Sequence, residues 1–79
     1  MNKTIAIFQK NKFEEVQVQI KEFKGYDLID IRVFTQPKEG SEKIPTGKGI
    51  SLNVSLFPEL KKAVIETEKV LKENDLLNE

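Results

Sequence analysis

The side chains best suited to binding chemistry are aromatic rings and cations that recur at every second position in two neighbouring segments. In residues 17–23 the alternate positions hold Gln, Gln, Lys and Phe, and in residues 26–34 they hold Tyr, Leu, Asp, Arg and Phe. Residues two apart in a β-strand share one face of the sheet. Rings beside cations suit unpaired nucleic acid, because each ring can stack on a base for about 1–3 kcal/mol while cations hold phosphates.

Eight residues of this kind form the candidate interface, some on the alternating segments and some in the turns that follow them. The predicted nucleic-acid-binding residues are Lys21, Phe23, Lys24, Tyr26, Arg32, Phe34, Lys43 and Lys48. We expect the three rings to stack on bases and the cations to contact phosphates. Arg32 can also stack, and Phe34 is a candidate for the core as well.

The same pattern supports a second interpretation, in which the rings belong to a core or a subunit interface and the lysines are merely solvated. Aromatic residues in strands are buried more often than they bind ligands. An exposed aromatic face could also bind a partner protein instead of a base. The alternation alone leaves these interpretations open.

Charge alone does not favour nucleic acid as the ligand. Thirteen Lys and Arg balance thirteen Asp and Glu, and the net charge is +1 over residues 1–20, +1 over residues 21–48 and −2 over residues 49–79. Nucleic-acid-binding domains usually carry a basic surface. Only the placement of the cations could create one here.

Catalytic chemistry has little support in this sequence. Histidine and cysteine are both absent, which removes the commonest general base and the commonest activated thiol. The pair of Asp30 and Arg32 is typical of a structural ion pair, and Gly47-Lys48-Gly49 lacks the spacing of a phosphate-binding loop. We expect no enzyme, no cofactor, no metal and no small-molecule substrate.

The length of 79 residues allows one domain with a marginal core, since so short a chain buries only about 60–65% of its unfolded surface. Small domains usually add a disulfide, a metal or a partner chain. Without cysteine or histidine, a partner chain is the expected supplement, and we predict a homodimer. The apolar run of residues 5–8 is too short for a signal peptide or a membrane span, so we expect no membrane partner and a cytoplasmic location.

The elements that position these residues are four strands and a helix. Residues 16–23 and 26–35 read as an antiparallel hairpin around Lys24-Gly25. Residues 42–45 and 50–54 read as two further strands, separated by a tight turn at residues 46–49. Residues 4–8 could be a short extra strand or a flexible arm.

The last third of the chain changes to helical spacing. Ser55 is the predicted N-cap and Pro58 falls in the first turn. One apolar stripe follows, formed by Leu56, Leu60, Ala63, Val64, Thr67 and Leu71. Ile65 and Val70 lie outside that stripe, which suggests a second packing surface. The predicted class is α+β, a four-stranded antiparallel sheet with one C-terminal helix that covers one sheet face.

Several short segments together resemble the DNA-binding domain of transcriptional positive cofactor four, a eukaryotic coactivator that binds single-stranded DNA. They are Phe23-Lys24-Gly25, residues 28–32, Pro45 and residues 48–53, in that order and spacing, with Phe57 and Leu60 at matching places in the helix. The compact length resembles the bacterial YdbC-type members. The similarity runs over residues 16–71.

The resemblance implies a strongly curved four-stranded sheet, dimerisation through the helices, and single-stranded DNA bound by the sheets. It implies that Phe23 stacks on a base, that Lys24 contacts the backbone, and that Arg32, Lys48 and Lys21 are the family's basic positions. The domain boundaries that follow are an N-terminal arm or strand at residues 1–12, the binding domain at residues 13–73 and a frayed tail at residues 74–79.

Four positions depart from the family pattern. Thr35 stands where the family has a DNA-contacting tryptophan, Tyr26 where a lysine is common, and Glu14 and Val16 where basic residues are expected. The expected function is therefore sequence-tolerant binding of single-stranded DNA by a homodimer, in transcription, repair or replication. RNA stays open as the ligand, because stacking and phosphate contacts do not read the 2′-hydroxyl.

Overall fold

Four consecutive strands form one antiparallel sheet in chain order in the computed structural model, which describes residues 1–40 and 42–77. The strands and helices are β1 (Lys3–Gln9), β2 (Glu14–Phe23), β3 (Tyr26–Thr35), β4 (Ile44–Asn53), a 3₁₀ turn η1 (Val54–Leu56) and α1 (Phe57–Glu73). The predicted class, a four-stranded antiparallel sheet followed by one helix, is confirmed.

The β2–β3 hairpin forms where the alternation predicts it. Lys24 and Gly25 make a two-residue turn with φ of 50° and 83°, the positive values that a type I′ turn requires and that glycine adopts without strain. Phe23 pairs with Tyr26 directly across this turn, and the register continues without a break to Glu14 and Thr35.

β4 is one continuous strand, so the prediction of two strands separated by a turn at residues 46–49 is wrong. A register shift between Arg32 and Phe34 in β3 lets β4 continue past Gly47 and Gly49. A β-carbon on Gly49 would lie 2.9 Å from Arg32 Cα. Gly49 therefore allows close approach of two strands at an irregularity in the ladder, a recognised role of glycine in sheets.

Residues 3–9 form the edge strand β1, which is the strand alternative that the sequence left open. Ala6, Ile7 and Phe8 pair with Val18, Gln17 and Val16 of β2, with a register shift between Thr4 and Ala6. The sheet thus has four strands, but the extra strand lies at the N-terminus and the predicted third and fourth strands are one.

The helix begins differently from the prediction. Asn53, not Ser55, supplies the capping side chain, because its Oδ1 accepts a hydrogen bond from the Ser55 amide at 2.9 Å and starts the 3₁₀ turn. Pro58 does lie in the first turn of α1. After Glu73 the Leu76 amide donates to the Leu71 carbonyl, and residues 78–79 of the predicted frayed tail lie outside the described residues. The helix in residues 57–73 is not long and apolar enough to cross a bilayer.

The helix does not cover the sheet within a single chain, and that expectation is wrong. Only its start approaches the sheet, where Val54 and Phe57 line an apolar cleft of about 460 Å³ with Ile5, Val18 and Ile29. Every described residue of α1 except Leu60 and Leu71 is exposed. A large apolar surface therefore remains open on the chain.

Candidate nucleic-acid interface

The register of the sheet places the predicted interface residues of β2 and β3 on one face, as the alternation predicted. Paired residues of antiparallel strands point to the same side, and the pairs on this side include Lys21 with Leu28 and Phe23 with Tyr26. We call this side the polar face. Its other pairs are Glu15 with Phe34, Gln17 with Arg32 and Gln19 with Asp30. The opposite, apolar face carries Val16, Val18, Ile20, Ile29, Ile31 and Val33.

The hairpin end of the polar face presents two rings to solvent. Phe23 and Tyr26, paired across the turn, are 60% and 63% exposed. The Lys24 ammonium lies 5.3 Å from the centroid of the Phe23 ring, within the range of a cation–π contact. Two adjacent exposed rings, with a cation over one of them, can accept a stacked base and its phosphate.

A cleft of about 430 Å³ opens beside these rings on the polar face. Phe23, Lys21 and Leu28 line it toward the turn, while Asp30 and Arg32 line it toward the centre of the sheet. Its walls combine apolar and charged side chains. The cleft thus joins the exposed ring of Phe23 to the charged centre of the face.

Arg32 is held by Asp30 in the centre of the polar face. The guanidinium donates from Nε to Oδ1 at 3.2 Å and to Oδ2 at 3.1 Å, and from Nη2 to Oδ1 at 2.9 Å. Its Nη1 donates to the Thr46 carbonyl of β4 at 3.1 Å. Arg32 therefore links β3 to β4, and most of its donors are occupied within the protein. This is the structural ion pair that the spacing favoured.

Asp30 is a buried carboxylate, only 3% exposed, with three polar neighbours. The Ser51 hydroxyl also donates to Oδ1, and the Lys21 ammonium lies 3.8 Å from Oδ2. The hydrogen bonds from Arg32 lower the pKa of Asp30, burial acts in the opposite direction, and Ser51 lowers the pKa further. Asp30 in turn raises the pKa of Arg32.

Phe34 is buried, so its prediction as a stacking residue is wrong. Its exposure is 8%, and it lies between Glu15 of β2 and Pro45 of β4. Phe34 lies on β3, one of the two inner strands of the sheet, so it has a neighbouring strand on each side, and residues of these strands cover its ring. Phe34 belongs to the small core, which was the alternative that the sequence allowed for it.

Two of the predicted lysines are not beside the hairpin end. Lys43 lies near the opposite end of the polar face, with Nζ 3.8 Å from Glu15 Oε1 and 3.5 Å from the Phe13 carbonyl. Lys48 lines a separate groove of about 330 Å³ together with Lys10 and the apolar-face residues Val16, Ile31, Val33 and Ile50. The structure therefore brings together Lys21, Phe23, Lys24, Tyr26 and Arg32, but not Lys43 or Lys48.

Ser51 is the residue of this site that sequence reasoning missed. It pairs with Asp30 in the β3–β4 ladder. Its hydroxyl donates to the buried carboxylate of Asp30, as the guanidinium of Arg32 does. The alternation of residues 50–54 was visible in the sequence. Only its register with β3, which the bulge beside Gly49 determines, could have placed Ser51 opposite Asp30.

Comparison with known families matches residues 10–63 to the family described as Transcriptional Coactivator p15 (PC4). This match spans more than half of the chain, and it confirms the resemblance that the short sequence segments indicated.

Solved structures show the same fold. BPSL1147, a PC4 homolog from Burkholderia pseudomallei, aligns with a TM-score of 0.75 at 24% identity, covering 86% of this chain and 98% of that one. A bacteriophage T5 homolog of the eukaryotic coactivator PC4, implicated in recombination-dependent DNA replication, aligns with a TM-score of 0.67 at 24% identity, covering 96% and 83%. MoSub1, crystallised with single-stranded DNA, aligns with a TM-score of 0.62 at 28% identity, covering 86% and 77%.

Proposed function

This chain belongs to the transcriptional coactivator p15 (PC4) family, and from that membership and the aromatic end of its polar face we propose that it binds single-stranded DNA. The observation that carries the proposal is the pair of exposed rings, Phe23 and Tyr26, with the Lys24 ammonium over the Phe23 ring. MoSub1 has been crystallised with single-stranded DNA, and the T5 homolog is implicated in DNA replication.

The proposed roles follow from exposure and from existing partners. Phe23 and Tyr26 stack on bases, and Lys24 contacts a phosphate, since it makes no ion pair with any described residue. Lys21 contacts a second phosphate, because its side chain is about half exposed. Its one acidic neighbour, Asp30, lies 3.8 Å from the ammonium and already accepts hydrogen bonds from Arg32 and Ser51. Arg32 acts mainly by holding the strands in register. These contacts do not depend on base identity, so the proposed binding is tolerant of sequence.

We propose that the binding unit is a homodimer, because a single chain exposes more surface than a folded monomer of its size. The chain exposes 6392 Å², whereas a monomer of 9.1 kDa is expected to expose about 4,900 Å². Its radius of gyration is 14.9 Å, against about 12 Å for a compact domain of this length. The excess, about 1,500 Å², is in the range that one subunit of an obligate dimer buries.

The apolar residues available to such an interface lie on α1 and on the apolar side of the sheet. The large exposed ones, including two in the 3₁₀ turn before α1, are Ile5, Phe8, Ile44, Ile50, Val54, Leu56, Phe57, Val64, Ile65 and Val70. Ile65 and Val70 are the helical residues that fell outside the predicted stripe. A second chain that packs on them would also close the cleft between α1 and the sheet.

The proposed role is binding and not catalysis, within transcription, repair or replication of DNA. The family is one of transcriptional coactivators, and the polar face supplies rings and cations for a nucleic-acid chain. We propose a cytoplasmic location in a bacterium, with association with the nucleoid when the protein is bound to DNA.

The test is fluorescence anisotropy of a labelled single strand of about 20 nucleotides, titrated with protein at several salt concentrations. We expect tight binding that weakens with salt, against which a duplex of the same sequence competes poorly. An RNA strand of the same sequence serves as a second competitor, and equal competition by it would extend the ligand to RNA. Sedimentation of the free protein should give twice the 9.1 kDa chain mass. Absence of binding even at low salt would contradict the proposal and leave the rings as a protein-binding surface.

A further inference from the structure

The row of side chains that ends in Phe23 has a second aromatic end. The strand β2 begins at Glu14. One residue before it, the Phe13 carbonyl still accepts a hydrogen bond from the Gln36 amide at 3.3 Å. This hydrogen bond continues the β2–β3 register by one pair beyond Glu14 and Thr35. Alternation along the strand then places Phe13 on the polar face, in the same row as Gln17, Gln19 and Phe23.

Phe13 repeats the arrangement found at the hairpin end. Its side chain is 63% exposed, and the Lys12 ammonium lies 5.6 Å from its ring centroid. At the other end of the row the corresponding distance, from Lys24 to Phe23, is 5.3 Å. Each end of β2 therefore presents an exposed ring with an adjacent cation, the combination that binds unpaired bases.

The acidic residues near Phe13 are already neutralised. Glu14 accepts a hydrogen bond from the Lys10 ammonium at 3.2 Å, and Lys43 lies 3.8 Å from Glu15 Oε1. The Asn11 side chain and Lys10 lower the pKa of Glu14. Lys12 makes no ion pair with any described residue. A phosphate beside the Phe13 ring would therefore meet an available cation.

The surface between the two rings is polar and ordered. Gln17 donates to Glu15 Oε2 and Gln19 donates to Gln17 Oε1, each at 2.7 Å. These side chains form a ladder of amide groups along the row, with acceptors and donors that can contact base edges. Along β2 itself the side chains between the two rings are therefore polar, and Ile7 of β1, which pairs with Gln17, adds one exposed apolar side chain beside the row.

We propose that Phe13 and Lys12 form a second stacking subsite for the same single strand that occupies Phe23 and Tyr26. The inference rests on the proposed function and adds the path of the ligand along β2. From residue 13 to residue 23 a strand extends about 34 Å, which corresponds to about ten nucleotides at the 3.4 Å spacing of stacked bases. Lys43, which lies apart from the hairpin end, neutralises Glu15 beside this second subsite.

The experiment compares Phe13→Ala with Phe23→Ala on labelled oligo(dT) strands of about 5 and about 15 nucleotides, lengths within the known range of single-strand sites. Loss of one stacked base weakens binding by about fivefold to a hundredfold. We expect Phe13→Ala to show that loss on the long strand and little change on the short one, which can stay at the hairpin end. Phe23→Ala should weaken binding of both strands.

Two variants control for folding and for the chemistry of the ring. Phe13→Tyr keeps an aromatic face and should bind like the wild type, whereas Phe13→Leu keeps apolar bulk and should behave like Phe13→Ala. Sedimentation of each variant reports its oligomeric state.

The outcomes separate the inference from the function on which it rests. If Phe13→Ala binds both strands like the wild type while Phe23→Ala is weakened, the second subsite is absent and the proposed function stands. If Phe13→Ala dissociates the dimer, Phe13 is an interface residue and the inference is overturned. If the wild type binds neither strand, the proposed function itself fails.

Discussion

At the hairpin end of the polar face Phe23 and Tyr26 expose most of their rings, whereas in the centre of the same face Arg32 is held by Asp30, and beyond it along β3 Phe34 is buried. Both regions contain an aromatic ring and a cation, Phe23 with Lys24 at the hairpin end and Phe34 with Arg32 along β3. The difference lies in their neighbours, because Arg32 and Phe34 lie between β2 and β4, whereas Phe23 and Tyr26 lie beyond the last pairs of β2 with β1 and of β3 with β4. Residue type therefore identifies the face, and position within the sheet decides which of its residues are available to a ligand.

The centre and the hairpin end should accordingly respond to mutation in different ways. Replacing a residue of the centre should mainly change the stability of the fold, since its partners are within the protein. Replacing a residue of the hairpin end should mainly change binding, since its partners are not.

The largest effect is expected for Asp30→Ala. It leaves Arg32 without its carboxylate partner inside the sheet, and removal of one member of a buried pair costs about 3 kcal/mol of unfolding free energy. Urea unfolding measures this loss of unfolding free energy. The protein concentration is held fixed, because dimerisation contributes to stability. Ser51→Ala is the matched control, and loss of its single hydrogen bond to Asp30 should cost about 1 kcal/mol. A wild-type unfolding midpoint for Asp30→Ala would show that the pair does not stabilise the sheet.

A smaller effect of the same pair should appear as a dependence of stability on pH. The pKa of Asp30 is lowered in the folded protein, chiefly by the hydrogen bonds from Arg32. Its contribution to stability is therefore fully present above the unfolded pKa of about 3.9 and is lost as the pH falls through the lower folded value. Asp30→Asn has no carboxyl group to titrate at this position.

The measurement is the difference in urea midpoint between the wild type and Asp30→Asn, followed from about pH 6 to about pH 3, across the unfolded pKa of a carboxyl group. We expect the wild type to be the more stable at the upper end and the difference to shrink below about pH 4. Because both proteins share all other carboxylates, including Glu14 with its own lowered pKa, the difference isolates Asp30. A constant difference over this range would contradict the assignment.

Much of the fold follows from local patterns, and the errors arise where the pairing of distant segments decides. The period-two alternation in β2 and β3 predicted both the hairpin and the two faces, because side-chain direction in a strand depends only on position. Gly47 and Gly49 resembled a turn, but pairing of Ile50 with Ile31 keeps them in a strand. The edge strand β1 needs β2 as its partner, so the local sequence of residues 3–9 left it undecided.

The candidate site was predictable in part for the same reason. Phe23, Lys24 and Tyr26 lie at a turn that the sequence itself specifies, and their grouping follows from that turn. Burial of Phe34 depends on β4 lying beside β3. The position of Lys48 depends on the register shift between Arg32 and Phe34, and no local pattern in the sequence encodes that shift.

The smallest effect separates two lysines that the sequence treated alike. Lys24 lies beside the Phe23 ring, whereas Lys48 lines the groove shared with Ile31 and Ile50. Each phosphate contact on a single strand contributes about 0.7 to the slope of log K against log salt concentration. Lys24→Gln should therefore reduce the slope by about that amount, while Lys48→Gln should leave it unchanged, both measured by anisotropy with the same oligonucleotide. If Lys48→Gln reduced the slope as much as Lys24→Gln, the bound strand would have to leave the polar face and cross the edge of β4, and the contrast between the hairpin end and the rest of the sheet would no longer describe the interface.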